Sequence, residues 1–390
     1  MANPVASGRR GVFGQCAATV DATIRRSPED FVVEEIPAYA PSGAGGHVYV
    51  RFTKTDRTTL DAVRMIARAL SCDPRAAGFA GMKDRRAVTT QTMSLEVPRG
   101  IDPLDLVRRA QALSLEGITV HEAALHGNKL KPGHLAGNRF AIVLRNVAAD
   151  RVAEVTGVLA RVGAEGVPNA FGAQRFGASG DNAKRALAWL RGQERPPRDP
   201  RIQRLLWSSL QSEVYNAVLA RRVGDGSWTT ALEGDLLKVR ASGGLFVCAD
   251  VQTDRARAAS GEVSATGPII GARMRWPSGE PEAIERSVAS TVLGDDFDLG
   301  KTRSLGEGSR RALRLWVEGL RWEVGEPSNR NPVGNASTCI RVYFVLPKGA
   351  YATTVLGAAA TIQEPSEAGP AREEAGDAQD PANGQREDET

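Results

Sequence analysis

Residues 47–70 read HVYVRFTKTDRTTLDAVRMIARAL, and the hydrophobic period changes partway through. Val48, Val50 and Phe52 fall on alternate positions, which predicts a half-buried strand over 47–53. Leu60, Val63, Ile66, Ala67 and Leu70 then recur every three or four residues, which predicts an amphipathic helix over 58–70. A threonine at its start can accept a hydrogen bond from the first turn, and Pro74 follows its end. A strand handing over to a helix is the unit from which mixed domains are built.

The same reading extends in both directions. RFAIVLR (139–145) and IRVYFVL (340–346) predict strands, and Pro347 ends the second. Residues 152–162 and 203–222 predict helices, and a short helical segment starts near Tyr351. Loop-like stretches fall at 192–201 and 276–282. Strands gather near both ends and helices in the middle, and no repeat of fixed period is visible. The pattern predicts an α+β domain made from both ends of the chain, with a mixed, helix-rich insertion between them.

Composition narrows the function. The 390 residues are 42% hydrophobic and 25% charged, ordinary for a globular chain. No apolar run approaches the ~18 residues of a membrane helix. The segment MANPVASGRRGVFGQ has no apolar stretch after its arginine pair, so a cytoplasmic protein without membrane contact is expected. Cys16, Cys72, Cys248 and Cys339 form no CxxC pair, and the four histidines form no HExxH, so no metal site is expected. The segment 364–390 holds nine acids and two bases, a net of −7. The remainder therefore carries +11, since the whole chain carries +4. A body this basic suits a polyanion such as nucleic acid, or serves solubility alone. The tail itself is rich in Pro, Gly, Ala and acids, so disorder is expected there.

Three segments can carry chemistry. GFAGMKDRRAVTTQ (78–91) presents Lys83, Asp84, Arg85 and Arg86 on a Gly-containing turn before a strand-like run. Neighbouring positive charge favours an ionised carboxylate, which can act as nucleophile, general base or ion-pair partner. A solvated turn with a surface ion network is the competing reading. The window from Ala123 to Ala149 has no acid and carries Lys129, Lys131, Arg139 and Arg145, a composition suited to backbone phosphates. GVPNAFGAQRFGASGDN (166–182) interleaves glycines with Phe171, Arg175 and Phe176, as a base-stacking loop or a tight packed turn would. It is neither a Walker loop nor a dinucleotide fingerprint, so no nucleotide cofactor is expected.

Together with SPEDFVVEEIP (27–37), PSGAGGHVYVRFTK (41–54), LAGNRFAIVLR (135–145) and LPKGAYATTVL (346–356), the first and third of these segments resemble the TruD family of pseudouridine synthases, in the family's order. The resemblance runs from about Phe31 to Leu356. It implies a pseudouridine-synthase catalytic domain with a curved, mostly antiparallel sheet and flanking helices. Residues 1–165 and 316–362 would form that domain, 166–315 a mixed α/β insertion, and 363–390 a disordered acidic tail. It implies isomerisation of a tRNA uridine, at position 13 in bacterial members, without cofactor or metal. Asp84 would be the nucleophile, attacking either the uracil ring or the sugar carbon. Phe31, Asn138, Phe140 and Tyr351 match substrate-site positions, and Lys83 and Arg25 match basic ones. The partner would be tRNA, with no protein partner and a monomeric enzyme. An RNA-binding or RNA-folding module using the same cleft without turnover is the alternative.

Overall fold

The computed structural model describes residues 20–177, 179–325 and 337–365. Cys16 and residues 366–390 lie outside them; of the tail expected to be disordered over 363–390, Gln363 instead closes a strand and Glu364 is bonded to Arg25. The first part of the chain runs β1 (Asp21–Thr23), β2 (Phe31–Pro37), β3 (His47–Thr55), α1 (Thr59–Ala69), β4 (Gly78–Phe79), β5 (Val88–Glu96), α2 (Pro103–Gln111), β6 (Ser114–Leu115), β7 (Ile118–His126), β8 (Leu135–Ala148) and α3 (Val152–Glu165). The middle holds β9 (Val167–Pro168), α4 (Asn182–Leu190), α5 (Pro200–Gly224), β10 (Leu236–Val239), β11 (Leu245–Val247), α6 (Val251–Ser260), β12 (Val263–Ile269), α7 (Gly279–Leu293) and β13 (Ser309–Ala312). The chain returns through β14 (Arg314–Leu315), β15 (Glu318–Val324), β16 (Ser337–Pro347), α8 (Ala352–Ala359) and β17 (Thr361–Gln363).

Among the described residues, eleven strands share one sheet with the path β15-β16-β8-β2-β5-β3-β7-β6, and β1, β4 and β17 attach beside it. The pairs are antiparallel except β2 with β5 and β1 with β17. Both ends of the chain build this sheet, because β16 lies on β8 with Phe344 opposite Phe140 and Leu346 opposite Asn138. The expected α+β class with a mostly antiparallel sheet is what the structure shows. Two parallel neighbours must start at the same edge, and the chain must cross back between them. Here it does so through β3, α1 and β4, so Phe31 at the start of β2 is level with the loop that leads into Val88.

Helices cover the sheet in two separate packings. Phe31, Val33, Phe140, Ile142 and Phe344 of the strands meet Val155 and Leu159 of α3 and Val355 of α8. Val48, Val50, Phe52 and Met93 meet Ile66 of α1 and Leu106 of α2. The division between the two cores falls at the β2–β5 join. Helix α1 starts where the sequence places it: Thr58 caps it, accepting a hydrogen bond from the Asp61 N–H at 3.1 Å.

A two-strand ladder, Val167 with Leu315 and Pro168 with Arg314, brackets the middle of the chain. Between its strands lie two further cores, one around Tyr215, Leu237 and Leu313, the other around Trp207, Leu210 and Ile270. Two buried ion pairs sit there as well, Arg222 with Asp235 at 3.0 Å and Arg310 with Glu285 at 2.5 Å. Residues 276–282 are only partly the loop expected of them, since α7 begins at Gly279. Pro281 falls in that helix's first turn, where a missing N–H costs no hydrogen bond.

The pairing of β8 with β16 leaves no room to spare. A Cβ on Gly137 would lie 2.4 Å from the Leu346 carbonyl oxygen on β16. Gly137→Ala should therefore push β8 from β16 and destabilise the protein by about 1–3 kcal/mol. Urea denaturation measures it, and an unchanged midpoint would refute the close approach.

Candidate active site

Strand alternation carries polar groups into the gap between the two cores. On β2, Phe31, Val33 and Glu35 share a face, and on β8 Asn138 shares the face of Phe140. The register sets Val33 opposite Phe140 and Glu35 opposite Asn138. Glu35 is 1% exposed, a position that a carboxylate occupies only when paired. Lys83 Nζ donates to it at 2.7 Å and the Thr92 N–H at 3.2 Å, so both carboxylate oxygens are engaged.

The loop between β4 and β5 is held from several sides. The Lys83 N–H donates to Thr59 Oγ1 at 2.9 Å, and Thr59 in turn donates to Gln91 Oε1 at 3.1 Å. One residue further on, Lys54 Nζ donates to the Asp84 carbonyl oxygen at 2.7 Å. Burial pulls the Lys54 ammonium down to about 8; Asp84 and Asp56 oppose that pull, and Lys83 adds to it. The Asp84 carboxylate itself is 56% exposed and accepts from Arg25 Nη2 at 2.5 Å. The Arg25 backbone is left-handed, with φ of +58°. Its guanidinium lies 4.0 Å from the centroid of the Phe31 ring and also donates to both oxygens of Glu364 at 3.1 Å.

Arg25, Phe31, Lys83 and Asp84 thus come together, and Asn138 and Phe140 stand in the adjoining rows. The Asn138 Oδ1 is buried without a hydrogen bond among the described residues. Phe31 and Phe140 are 3% and 6% exposed and pack edge to face at 6.4 Å, while Phe140 stacks on Phe344 at 5.2 Å. A base would have to displace the Arg25 guanidinium to stack on Phe31. Tyr351 is half-buried at the cap of α8, just past the β16 end whose Leu346 faces Asn138. Sequence reading missed Glu35, Lys54 and Glu364. The first two had a signal, since each continues the buried alternation of its strand.

The family model described as "tRNA pseudouridine synthase D (TruD)" matches residues 12–192 and 197–358. A protein named tRNA pseudouridine synthase D from Anaeromyxobacter sp. (strain Fw109-5) is 42% identical over 339 residues, covering 86% of this chain and 91% of its own. One of the same name from Thermus thermophilus is 37% identical over 362 residues, covering 91% and 94%. In fold, the chain is similar to a crystal structure of a putative tRNA pseudouridine synthase D from Methanosarcina mazei. That likeness has a TM-score of 0.71 at 24% identity and covers 90% of this chain and 98% of that one. The class is therefore pseudouridine synthase, an isomerase. The chain belongs to the tRNA pseudouridine synthase D (TruD) family.

The Glu35–Lys83 pair gives the site a testable energetic signature. Lys83→Met leaves a buried carboxylate without its counter-charge and should cost about 3–5 kcal/mol of stability. Adding Glu35→Leu should recover most of that loss. Equal urea midpoints for wild type and Lys83→Met would contradict the pairing.

Proposed function

We propose that this enzyme converts uridine to pseudouridine in tRNA, at position 13, with Asp84 as the nucleophile. The supporting observation is the combination at Asp84 of an open carboxylate and a held backbone. The side chain is more than half exposed, while Lys54, the neighbouring Lys83 N–H and Arg25 fix its surroundings. Such pre-positioning lets a carboxylate meet a substrate without reorganising at the moment of reaction.

Uridine and pseudouridine contain the same atoms. The N1–C1′ bond breaks, a C5–C1′ bond forms, the C5 proton leaves and N1 gains one. Asp84 supplies the covalent hold during this exchange, by attack on the ring or on the sugar carbon. The base must leave its stack before the exchange can occur. Tyr351 offers a half-buried ring for it, and Phe31 one that becomes available when the Arg25 guanidinium moves aside, each stack worth about 1–3 kcal/mol, while Phe140 supports Phe31 from within the core. The Asn138 Oδ1, an acceptor without a partner among the described residues, suits the N3–H of uracil. Arg25 keeps positive charge beside the carboxylate, and Lys83 anchors the loop through Glu35. The acid-free window 123–149, where Arg139 and Arg145 pair with Glu34 and Asp30, suits the phosphates of the tRNA through Lys129 and Lys131. Residues 1–165 and 316–362 act as the catalytic part, 166–315 as an inserted unit, and the enzyme works as a cytoplasmic monomer.

Asp84→Asn decides the assignment. Wild type incubated with unmodified tRNA should place pseudouridine at position 13, read at single-nucleotide resolution, and the variant should place none while still binding tRNA. Turnover by the variant would remove Asp84 from the mechanism. A wild type that binds tRNA and modifies no uridine would leave a binding module instead.

A further inference from the structure

We infer that Lys54 is a positioning residue for the reaction, holding the Asp84 backbone from beneath the loop through its ammonium group. This rests on the reading of Asp84 as nucleophile. The sequence places Lys54 as the fourth member of an alternating set whose other members are Val48, Val50 and Phe52. The first three lie in the α1–α2 core, and Lys54, next in the alternation, is 0% exposed. A lysine at such a position is rare, because its charge loses hydration that packing does not replace. A methionine or leucine would fill the same space at lower cost, so packing alone does not explain the ammonium.

What the ammonium adds is directed at one residue. The hydrogen bond it makes among the described residues goes to the Asp84 carbonyl oxygen, at 2.7 Å. The preceding peptide N–H, that of Lys83, is tied to Thr59 at 2.9 Å. The backbone is therefore anchored on both sides of the Asp84 α-carbon, which restricts where its carboxylate can reach. The charges around Lys54 are Asp84 and Lys83 on the loop and Asp56 on the turn after β3, the last within 3.9 Å of Arg85. With its ammonium held down to about 8 by burial, Lys54 is charged below that pH and becomes a neutral amine above it. The positioning it provides is present on the acid side and weakens as pH rises through that value.

The test compares wild type with Lys54→Met in single-turnover reactions, full-length enzyme in excess over unmodified tRNA, across pH 6.5 to 9.5. The variant's rate constant should fall by about 10–100-fold, the scale of a misplaced reacting group. Its half-saturating enzyme concentration should stay within about threefold, because binding is not what Lys54 serves. Wild type should lose rate as pH rises through about 8, and the variant should show no such fall. An unimpaired variant, or one with the same alkaline fall as wild type, overturns the inference. Should Lys54→Met fail to fold, Lys54→Gln, uncharged and one bond shorter, takes its place with the same expected and overturning results. Asp84→Asn run alongside separates the two ideas. An active Asp84→Asn removes the nucleophile reading and this inference with it. An inactive Asp84→Asn beside an unimpaired Lys54→Met removes this inference alone.

Discussion

The site depends on one departure from regularity: β2 and β5 run parallel in a sheet that is otherwise almost wholly antiparallel. Parallel neighbours need a crossover, and here the crossover is β3, α1 and β4 followed by the loop of residues 80–87. That loop must end where β5 begins, which is beside the start of β2. Asp84 is thereby delivered to Phe31 and Arg25, from which it is separated by more than fifty residues of chain. The join also separates the two helix-covered cores, so the buried polar groups Glu35, Lys54, Thr89 and Gln91 gather over the same strands. An antiparallel pairing at this point would have sent the loop to the opposite edge of the sheet.

A gap between two cores is a poor place for charge unless charges arrive in complementary sets. Glu35 comes from β2 and Lys83 from the loop, and their pair ties the loop to the half of the domain that it does not belong to. Lys54 comes from β3 and Arg25 from the turn after β1, and both converge on Asp84. Buried pairs contribute little net stability against well-packed apolar side chains, although breaking one is costly. Their effect is therefore on geometry: each arrangement of the loop that leaves a member unpaired is excluded by several kcal/mol.

Local pattern made much of this fold legible. The alternation of 47–53 extends to Thr55, and the helix predicted over 58–70 is Thr59–Ala69. The strand predicted over 139–145 is longer, Leu135–Ala148, because Gly137 lets β8 continue against β16 where a side chain would collide. At the site, the motif around Asp84 was legible, but its supports were not. Lys54 and Glu35 sit in phase with apolar neighbours, and a charged residue in that phase reads equally well as the end of a strand. The partners that make them tolerable, the Asp84 carbonyl and Lys83, are thirty and forty-eight residues away. Glu364 had no local signal at all, since β17 reaches Arg25 only by pairing in parallel with β1.

Exposure distinguishes this charge cluster from the two buried ion pairs in the middle of the chain. In Arg222–Asp235 and Arg310–Glu285, both partners are almost wholly buried, so neither carboxylate can meet a ligand, and their role is to hold the middle of the chain together. Around Asp84 the supports are shielded, with Glu35 and Lys54 inaccessible and Lys83 nearly so, yet the carboxylate that they surround is open. A surface carboxylate on a free loop would be open too, but it would sample many orientations and lose them on binding. A fully buried one would be oriented but unreachable. Only an open group on a shielded, charge-matched base is both reachable and already oriented, and the β2–β5 join is what allows the two conditions to coincide at one residue.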